Sequence, residues 1–319
     1  QALRLQRREG DPMLPPAALF RTIAPLLVVV GVVAGCGSSS KSSSGTTAST
    51  STSASSASAA LVSSTVAAEV PGKYKSKTLK VAADATYAPN EFIASNGHTV
   101  VGMDADLAKA LGQVMGVKVK VVNATFNTII PGLAAGKYDL GMSSFTDTKA
   151  RQKVVDFVTY FSAGTAFYVK ASGGPTITSL ANLCGHSVGV ESGTTQAMDA
   201  TAQNHKCTAA GKKGVKVSVF PDQNAANLAI SSGRTQVGMA DSPVAAYIVK
   251  KSNGQFKLTG KVYGTAPYGI AIPKGSGLDK PILAAVKVLM KDGKYKVILT
   301  KWGIQEGAIT NPKINGAIS

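Results

Sequence analysis

The chain has 319 residues, 44% of them hydrophobic and 16% charged, and its 34 Lys and Arg against 17 Asp and Glu give a formal charge of +17. That length allows two domains with a real core, and the apolar fraction excludes a chain without one. The basic excess raises nucleic acid as a partner, but the lysines (Lys73, Lys75, Lys118, Lys120, Lys212 and Lys213 among them) are scattered with no aromatic platform between them, so no nucleic acid is expected.

Residues 1–35 read as a signal peptide rather than part of a fold. Arg21 precedes an apolar run from Ile23 to Val33, which is short for a membrane span and right for the core of a leader. A single membrane anchor is the competing reading. The run ends in Val33-Ala34-Gly35-Cys36, which resembles a bacterial lipobox, with cleavage before Cys36 and lipid on its thiol. Residues before Met13 read as an upstream extension or a mis-set start. From Gly37 to about Val66 the chain is almost wholly Ser, Thr, Ala and Gly. Such a segment buries too little apolar area to offset its ordering entropy, so 36–70 is expected to be a disordered tether spanning roughly 30 Å root-mean-square. Leader, lipid site and tether in that order place the rest at the outer face of the cytoplasmic membrane, held there by lipid. Without residues 1–35 the charge is still +15, because they hold four Arg against one Glu and one Asp. Attraction to anionic membrane or wall polymers accounts for that charge at least as well as nucleic acid.

The remainder alternates strands and helices, the pattern of a parallel sheet. Thr78 to Ala83 predicts a strand ending at Asp84. Gly102-Met-Asp-Ala-Asp106 opens a helix with Leu107, Leu111, Val114 and Met115 on one face, its early acids suiting the helix dipole. Val117 to Val122 predicts a strand, and Phe126 leads a helix through Ile129, Ile130 and Leu133 that Gly136 stops. Tyr138 to Met142 predicts a buried strand. Beyond it come Ser143, Ser144, Thr146 and Thr148, and then a helical segment carrying Arg151. Hydroxyls and free N–H groups beside one arginine suit a carboxylate, which a guanidinium grips through two parallel hydrogen bonds.

Two pieces recur about 100 residues apart. Ala134-Ala-Gly-Lys-Tyr-Asp-Leu-Gly-Met-Ser-Ser144 aligns with Ser231-Ser-Gly-Arg-Thr-Gln-Val-Gly-Met-Ala-Asp241, and Leu79-Lys-Val-Ala-Ala-Asp84 with His186-Ser-Val-Gly-Val-Glu191. Chance likeness between two α/β units is the alternative. A true repeat means two lobes presenting strand ends across a cleft, with Asp84, Ser144, Thr146 and Arg151 on one side and Glu191, Thr194 and Asp241 on the other. Arg151 facing Asp241 is what a zwitterionic α-amino acid needs.

Besides Cys36 the chain holds Cys184 and Cys207, an even pair that in an exported protein suggests a disulfide; two free buried thiols are the alternative. His98, His186 and His205 stand apart, with no zinc spacing, so no metal is expected. There is no Gly-rich phosphate loop and no Gly-x-Ser-x-Gly elbow, and no cofactor is expected.

From about Thr78 to Gly303 the chain resembles the polar amino acid family of extracytoplasmic solute-binding proteins that serve ABC importers. The motifs that carry the likeness are Tyr87-Ala-Pro89, Val101-Gly-Met-Asp-Ala-Asp-Leu-Ala108, Ile130-Pro-Gly-Leu-Ala-Ala-Gly-Lys137, Thr148-Lys-Ala-Arg-Gln152 with Asp156-Phe157, Val188-Gly-Val-Glu-Ser-Gly-Thr-Thr-Gln196, Tyr268-Gly-Ile-Ala-Ile272 and Lys301-Trp302-Gly303. The resemblance implies a two-lobed α/β periplasmic-binding-protein fold, each lobe a parallel-type sheet flanked by helices, joined by two hinge strands. Lobe 1 would take 71–170 with 265–319 and lobe 2 would take 171–264, with crossings near Val169 to Ala171 and Tyr263 to Thr265. It gives Arg151 the α-carboxylate, helped by Thr146 and the N–H of Thr194 or Thr195, and gives Asp241 the α-ammonium, with Ser144 assisting. Tyr87 and Phe126 pack against the side chain and Asp84 reaches its far end. Glu191 stands where the family varies; beside Asp84 it would suit a cationic side chain, and turned to solvent it would do nothing. The expected function is capture of a free polar amino acid, by a monomer, for delivery to an ABC permease in the membrane. The rival is a cyclohexadienyl dehydratase-like lyase on the same fold, for which Glu191 is the one unusual acid–base candidate.

Overall fold

The computed structural model describes residues 62–318. The leader, Cys36 and nearly all of the expected tether lie outside the described residues. Where that tether meets them it ends sooner than expected. Residues Ser64–Glu69 form a helix, α1, capped by the Ser63 hydroxyl, and Val66 and Val70, one helical turn apart, are buried against the first lobe.

A short α2 (Gly72–Lys75) leads into β1 (Thr78–Ala83), a small three-stranded sheet of β2 (Thr86–Tyr87), β3 (Glu91–Ile93) and β4 (Val100–Val101), then α3 (Met103–Met115) and β5 (Lys118–Asn123). Next come α4 (Phe126–Ala134), β6 (Leu140–Gly141), α5 (Lys149–Gln152) and the long β7 (Val155–Lys170). The second half runs β8 (Ser187–Glu191), α6 (Thr195–Ala209), β9 (Lys216–Phe220), α7 (Gln223–Ser231), β10 (Val237–Asp241), α8 (Ser242–Lys251) and the long β11 (Phe256–Pro273). Two helices, α9 (Asp279–Lys291) and α10 (Lys294–Trp302), return to the first half.

The main sheet has the order β5-β1-β6-β11-β7-β10-β8-β9. Its two ends mirror each other. In each lobe the first strand lies between the second and the third, and the third lies against a long crossing strand. The internal repeat read from the sequence thus has a topological counterpart. The alternation of side chains along β1 explains the layering: Leu79 and Val81 join the core under α3 and α9, while Ala82 joins Ile129 and Leu133 of α4 on the opposite face. In the second lobe Val188 and Val190 pack with Ala200 of α6, and Tyr168, Ala240 and Val244 form the other face with Ile230 of α7.

The crossing expected at Val169–Ala171 is not there. Thr165 to Val169 are already paired, antiparallel, with Asp241 to Val237 of β10, so they belong to the second lobe's sheet. Pairing moves the crossing upstream to residues 163–164, between the pairs Ala163–Ala266 and Thr165–Tyr263, where the register between the two strands breaks. Gly164 is required there, since a Cβ would stand 2.6 Å from the Tyr263 carbonyl oxygen. The helix dipole role read for Asp104 is also corrected. Its side chain is fully buried, accepting from the Tyr160 hydroxyl at 2.6 Å and from the Ser144 N–H at 2.8 Å. A third correction is the strand expected over Tyr138 to Met142, of which only Leu140–Gly141 pairs as strand.

Candidate functional site

The parallel strands β1, β6, β8 and β10 end at the junction of the lobes, where ligands dock in open α/β sheets. A cavity there is lined by all ten candidate residues: Asp84, Tyr87, Phe126, Ser144, Thr146, Arg151, Glu191, Thr194, Thr195 and Asp241. Ser143, the first of the hydroxyls read after the strand, and Gln196, which the sequence did not single out, complete the wall.

Arg151 reaches the cleft from α5, whose N-cap Thr148 accepts the Arg151 backbone N–H. Its guanidinium donates to the carbonyl oxygens of Thr146 at 2.8 Å and, across the cleft, Gly193 at 2.9 Å. It stands 5.4 Å from the Phe126 ring centre and 5.5 Å from that of Phe145, and those two rings stack on each other at 4.6 Å. Burial lowers Arg151 to about 10, against the pull of Asp241 and Asp147; it stays cationic at neutral pH. Opposite it begins α6. Thr194 caps that helix through its hydroxyl, which accepts from the Ala197 N–H, and the first-turn N–H groups at the helix start form an anion-seeking end. One end of the cavity is therefore positive.

Asp241 closes β10 and is buried. Its backbone N–H donates to the Tyr87 hydroxyl of the other lobe at 2.9 Å, and Gln196 Nε2 donates to its carboxylate at 2.8 Å while also reaching Thr165. Desolvation pushes Asp241 up to about 6, although the Gln196 bond and the Arg151 charge draw it down. Asp84, just past β1, is pinned. Its two oxygens accept from the Thr86 hydroxyl at 2.7 Å and the Phe126 N–H at 2.8 Å, and burial still raises its pKa above the ordinary carboxylate value. Glu191, at the end of β8, is 3% exposed and one of its oxygens has no hydrogen-bond partner. It does not turn to solvent. Desolvation first, then Asp84, Asp222 and Asp241, push it up to about 9.

Ser144 departs from its expected part. Its backbone is left-handed (φ 49°), and its hydroxyl is engaged beneath the cavity, accepting from Asn90 and donating to Glu91. Ser143 accepts the Asp84 N–H and also donates to Glu91. Glu91 and Asp104 are wholly buried together, and desolvation plus their mutual repulsion hold Glu91 well above the usual carboxylate range. Cys184 and Cys207 are disulfide-bonded, with Cα atoms 5.7 Å apart, tying the end of α6 to the chain before β8, and they lie outside the cavity. Among the described residues no group of three His, Cys, Asp or Glu could hold a metal, and no helix is long and apolar enough to cross a membrane.

Comparison with known proteins gives the arrangement a context. The arginine-binding protein ArgT of Corynebacterium glutamicum is 32% identical over 238 residues, covering 74% of this chain and 78% of that one. A solved ancestral arginine-binding protein, known bound to arginine and bound to glutamine, is 40% identical with a TM-score of 0.64 and covers 71% of this chain and 98% of its own. An ancestral amino acid-binding protein described as a precursor of cyclohexadienyl dehydratase is 36% identical, with a TM-score of 0.63 over 70% of this chain and 95% of its own. The fold is the periplasmic-binding-protein fold that these structures share. Residues 79–305 match one family model, and the chain belongs to the bacterial extracellular solute-binding proteins, family 3.

Proposed function

We propose that this protein captures a polar L-amino acid with a cationic side chain between its lobes and delivers it to an ABC permease, tethered to the membrane through lipid on Cys36. The observation that carries the reading is the polarity of one small cavity. Arg151 and the start of α6 make a carboxylate pole, and Asp241 makes an ammonium pole on the opposing lobe. Thr146, Thr194 and Thr195 border the carboxylate pole, and the Tyr87 and Phe126 rings flank the path of the side chain. Asp84 and Glu191 then form an acidic far end, which an arginine, lysine or ornithine side chain would neutralise. The relatives known for binding arginine or glutamine support this class of ligand.

A thermal-shift screen of the common amino acids tests it, because a ligand that binds only the folded state raises the melting temperature by mass action. Arginine or another cationic amino acid should give the largest rise. A screen led by glutamate or aspartate would overturn the assignment, since an anionic side chain could not rest against both acids.

A second reading, a dehydratase-like lyase, is favoured by Glu191 alone: a buried acid that keeps its proton at neutral pH is what a general acid needs. Incubation with prephenate or arogenate separates the two, and turnover would replace the binding-protein reading.

A further inference from the structure

Glu191 is a buried acid in acidic company. The charged groups that face it are Asp84 from the end of β1, Asp222 from the cap of α7 and Asp241 from the end of β10, and the hydroxyls of Tyr87 and Tyr168 also lie within its field. The cation of the cavity, Arg151, is committed to the carbonyls of Thr146 and Gly193. One Glu191 oxygen is the single fully buried side-chain polar atom among the lining residues that has no hydrogen-bond partner. A carboxylate placed so keeps a proton until a positive charge arrives.

We propose that Glu191 is the residue that tells a cationic side chain from a neutral one, and that it does so by exchanging its own proton for the charge of the ligand. The inference rests on the amino-acid-binding reading above. In a closed cleft that is empty or holds a neutral side chain, Glu191 is a neutral acid. When a guanidinium or ammonium group enters, the Glu191 O–H bond breaks, its electron pair stays on the carboxylate and the proton leaves to buffer. The charge in the cavity is unchanged, so the desolvated site never holds an uncompensated ion. The proton comes from the protein, because a guanidinium does not surrender one near neutral pH.

The position of the Glu191 equilibrium, near 9, sets the window. By linkage, affinity for a cationic ligand should rise about tenfold per pH unit between roughly pH 6.5 and 8.5, and level off above the Glu191 value. A neutral ligand should show no such slope. Asp241, near 6, also titrates, but it faces the α-ammonium common to both ligands, so its contribution cancels in the comparison.

The test is titration calorimetry on the full chain with L-arginine and with L-citrulline, its neutral urea analogue, at pH 7 in phosphate and in Tris. The two buffers differ widely in ionisation enthalpy, so the change in apparent heat counts protons. Arginine should release about one proton more than citrulline. Glu191→Gln should abolish that difference and weaken arginine at least tenfold while leaving citrulline within about threefold. Equal proton counts for the two ligands would overturn the proposal. So would a count that survives in Glu191→Gln, since another acid would then be the source. If neither ligand binds and the thermal-shift screen is also silent, the amino-acid reading itself falls. Should Glu191→Gln fail to fold, Glu191→Asp keeps an acid one methylene shorter, and it should retain the proton release with weaker arginine binding; a lost release there counts against the proposal as well.

Discussion

At the scale of the residue, the site sets one cation, Arg151, against three buried acids, Asp84, Glu191 and Asp241. Arg151→Ala should lower ligand affinity by roughly a hundredfold, about 3 kcal/mol, because the ligand carboxylate would lose a charge-assisted fork in a desolvated cleft. Asp241→Ala should cost nearly as much through the ammonium. Calorimetry on both variants checks this once circular dichroism shows them folded, and near-native affinity in either would break the two-pole assignment. The acids also set how the empty protein responds to pH. Glu191 titrates near 9 in the fold against 4.5 for an ordinary glutamate, so between those values the folded state binds more protons than the unfolded. Its contribution is fully present below pH 4.5 and is lost as pH rises through 9; the melting temperature of the ligand-free protein should therefore fall as pH rises from 6.5 to 9. Glu191→Gln should flatten that decline, and an unchanged slope in the variant would place the effect elsewhere. Most of these residues were legible in the sequence because strand ends and small, hydroxylated loops announce themselves. Gln196 was not. A glutamine draws no notice until the fold puts it between Thr165 and Asp241, partners 31 and 45 residues away in the chain. Asp104 misled for the same reason: an acid in a first helical turn reads as a dipole partner, and only tertiary packing against Tyr160 and Glu91 makes it a buried one.

At the scale of the element, the two lobes are copies in topology but not in how they are stiffened. In the first, α1, α9 and α10 thicken one face of the core, and Lys301 and Trp302 at the end of α10 both bond to Asp106 of α3, at 2.6 and 2.9 Å. The second lobe lacks such added layers and instead has the disulfide, which joins the far end of α6 to the short turn before β8. Its cysteines are 23 residues apart in sequence, a closure that removes about 3 kcal/mol of chain entropy from the unfolded state. Cys184→Ser together with Cys207→Ser should lose about that much stability in denaturant titration and leave affinity unchanged, because the bridge holds the end of α6 that is remote from the capping Thr194. A drop in affinity as large as the drop in stability would show that the bridge also aims the start of α6. Helices and parallel strands of this kind follow from period and burial, and most were readable before any coordinates. The crossing strands were harder. Val155–Lys170 and Phe256–Pro273 are long mixtures of apolar and polar residues in which Gly164, Gly260, Gly264 and Pro267 offer several possible boundaries, so only the pairing partners reveal where one sheet hands over to the other.

At the scale of the molecule, what matters is how little holds the lobes together apart from the crossing strands. The hydrogen bonds across the cleft are few: Arg151 to Gly193, Asn127 to the Ser192 hydroxyl at 3.0 Å, the Gln223 N–H to the Thr86 hydroxyl at 3.2 Å, and the Asp241 N–H to Tyr87. Two of these are exposed to water, and such bonds contribute only about 0.5–1.5 kcal/mol each. Against them stands the cost of shutting Asp84 on one lobe and Glu191 on the other away from water, which keeps Glu191 protonated. A ligand that satisfies Arg151 on the first lobe and Asp241 on the second touches both at once, so it favours the closed form by more than the open one and must shift the population toward it. The empty protein should therefore spend most of its time open, and small-angle scattering should record a smaller radius of gyration when arginine is added. Removing one cross-cleft bond sharpens the test. Asn127 packs beside Gly193 at the rim of the carboxylate pole without lining the cavity, so Asn127→Ala should leave the ligand-bound radius as it is while weakening affinity by no more than about tenfold, mainly through the closing equilibrium. A radius that stays the same at saturating arginine, in the native protein as in the variant, would mean a rigid pocket, and selective hand-over of the closed form to a permease would lose its physical basis.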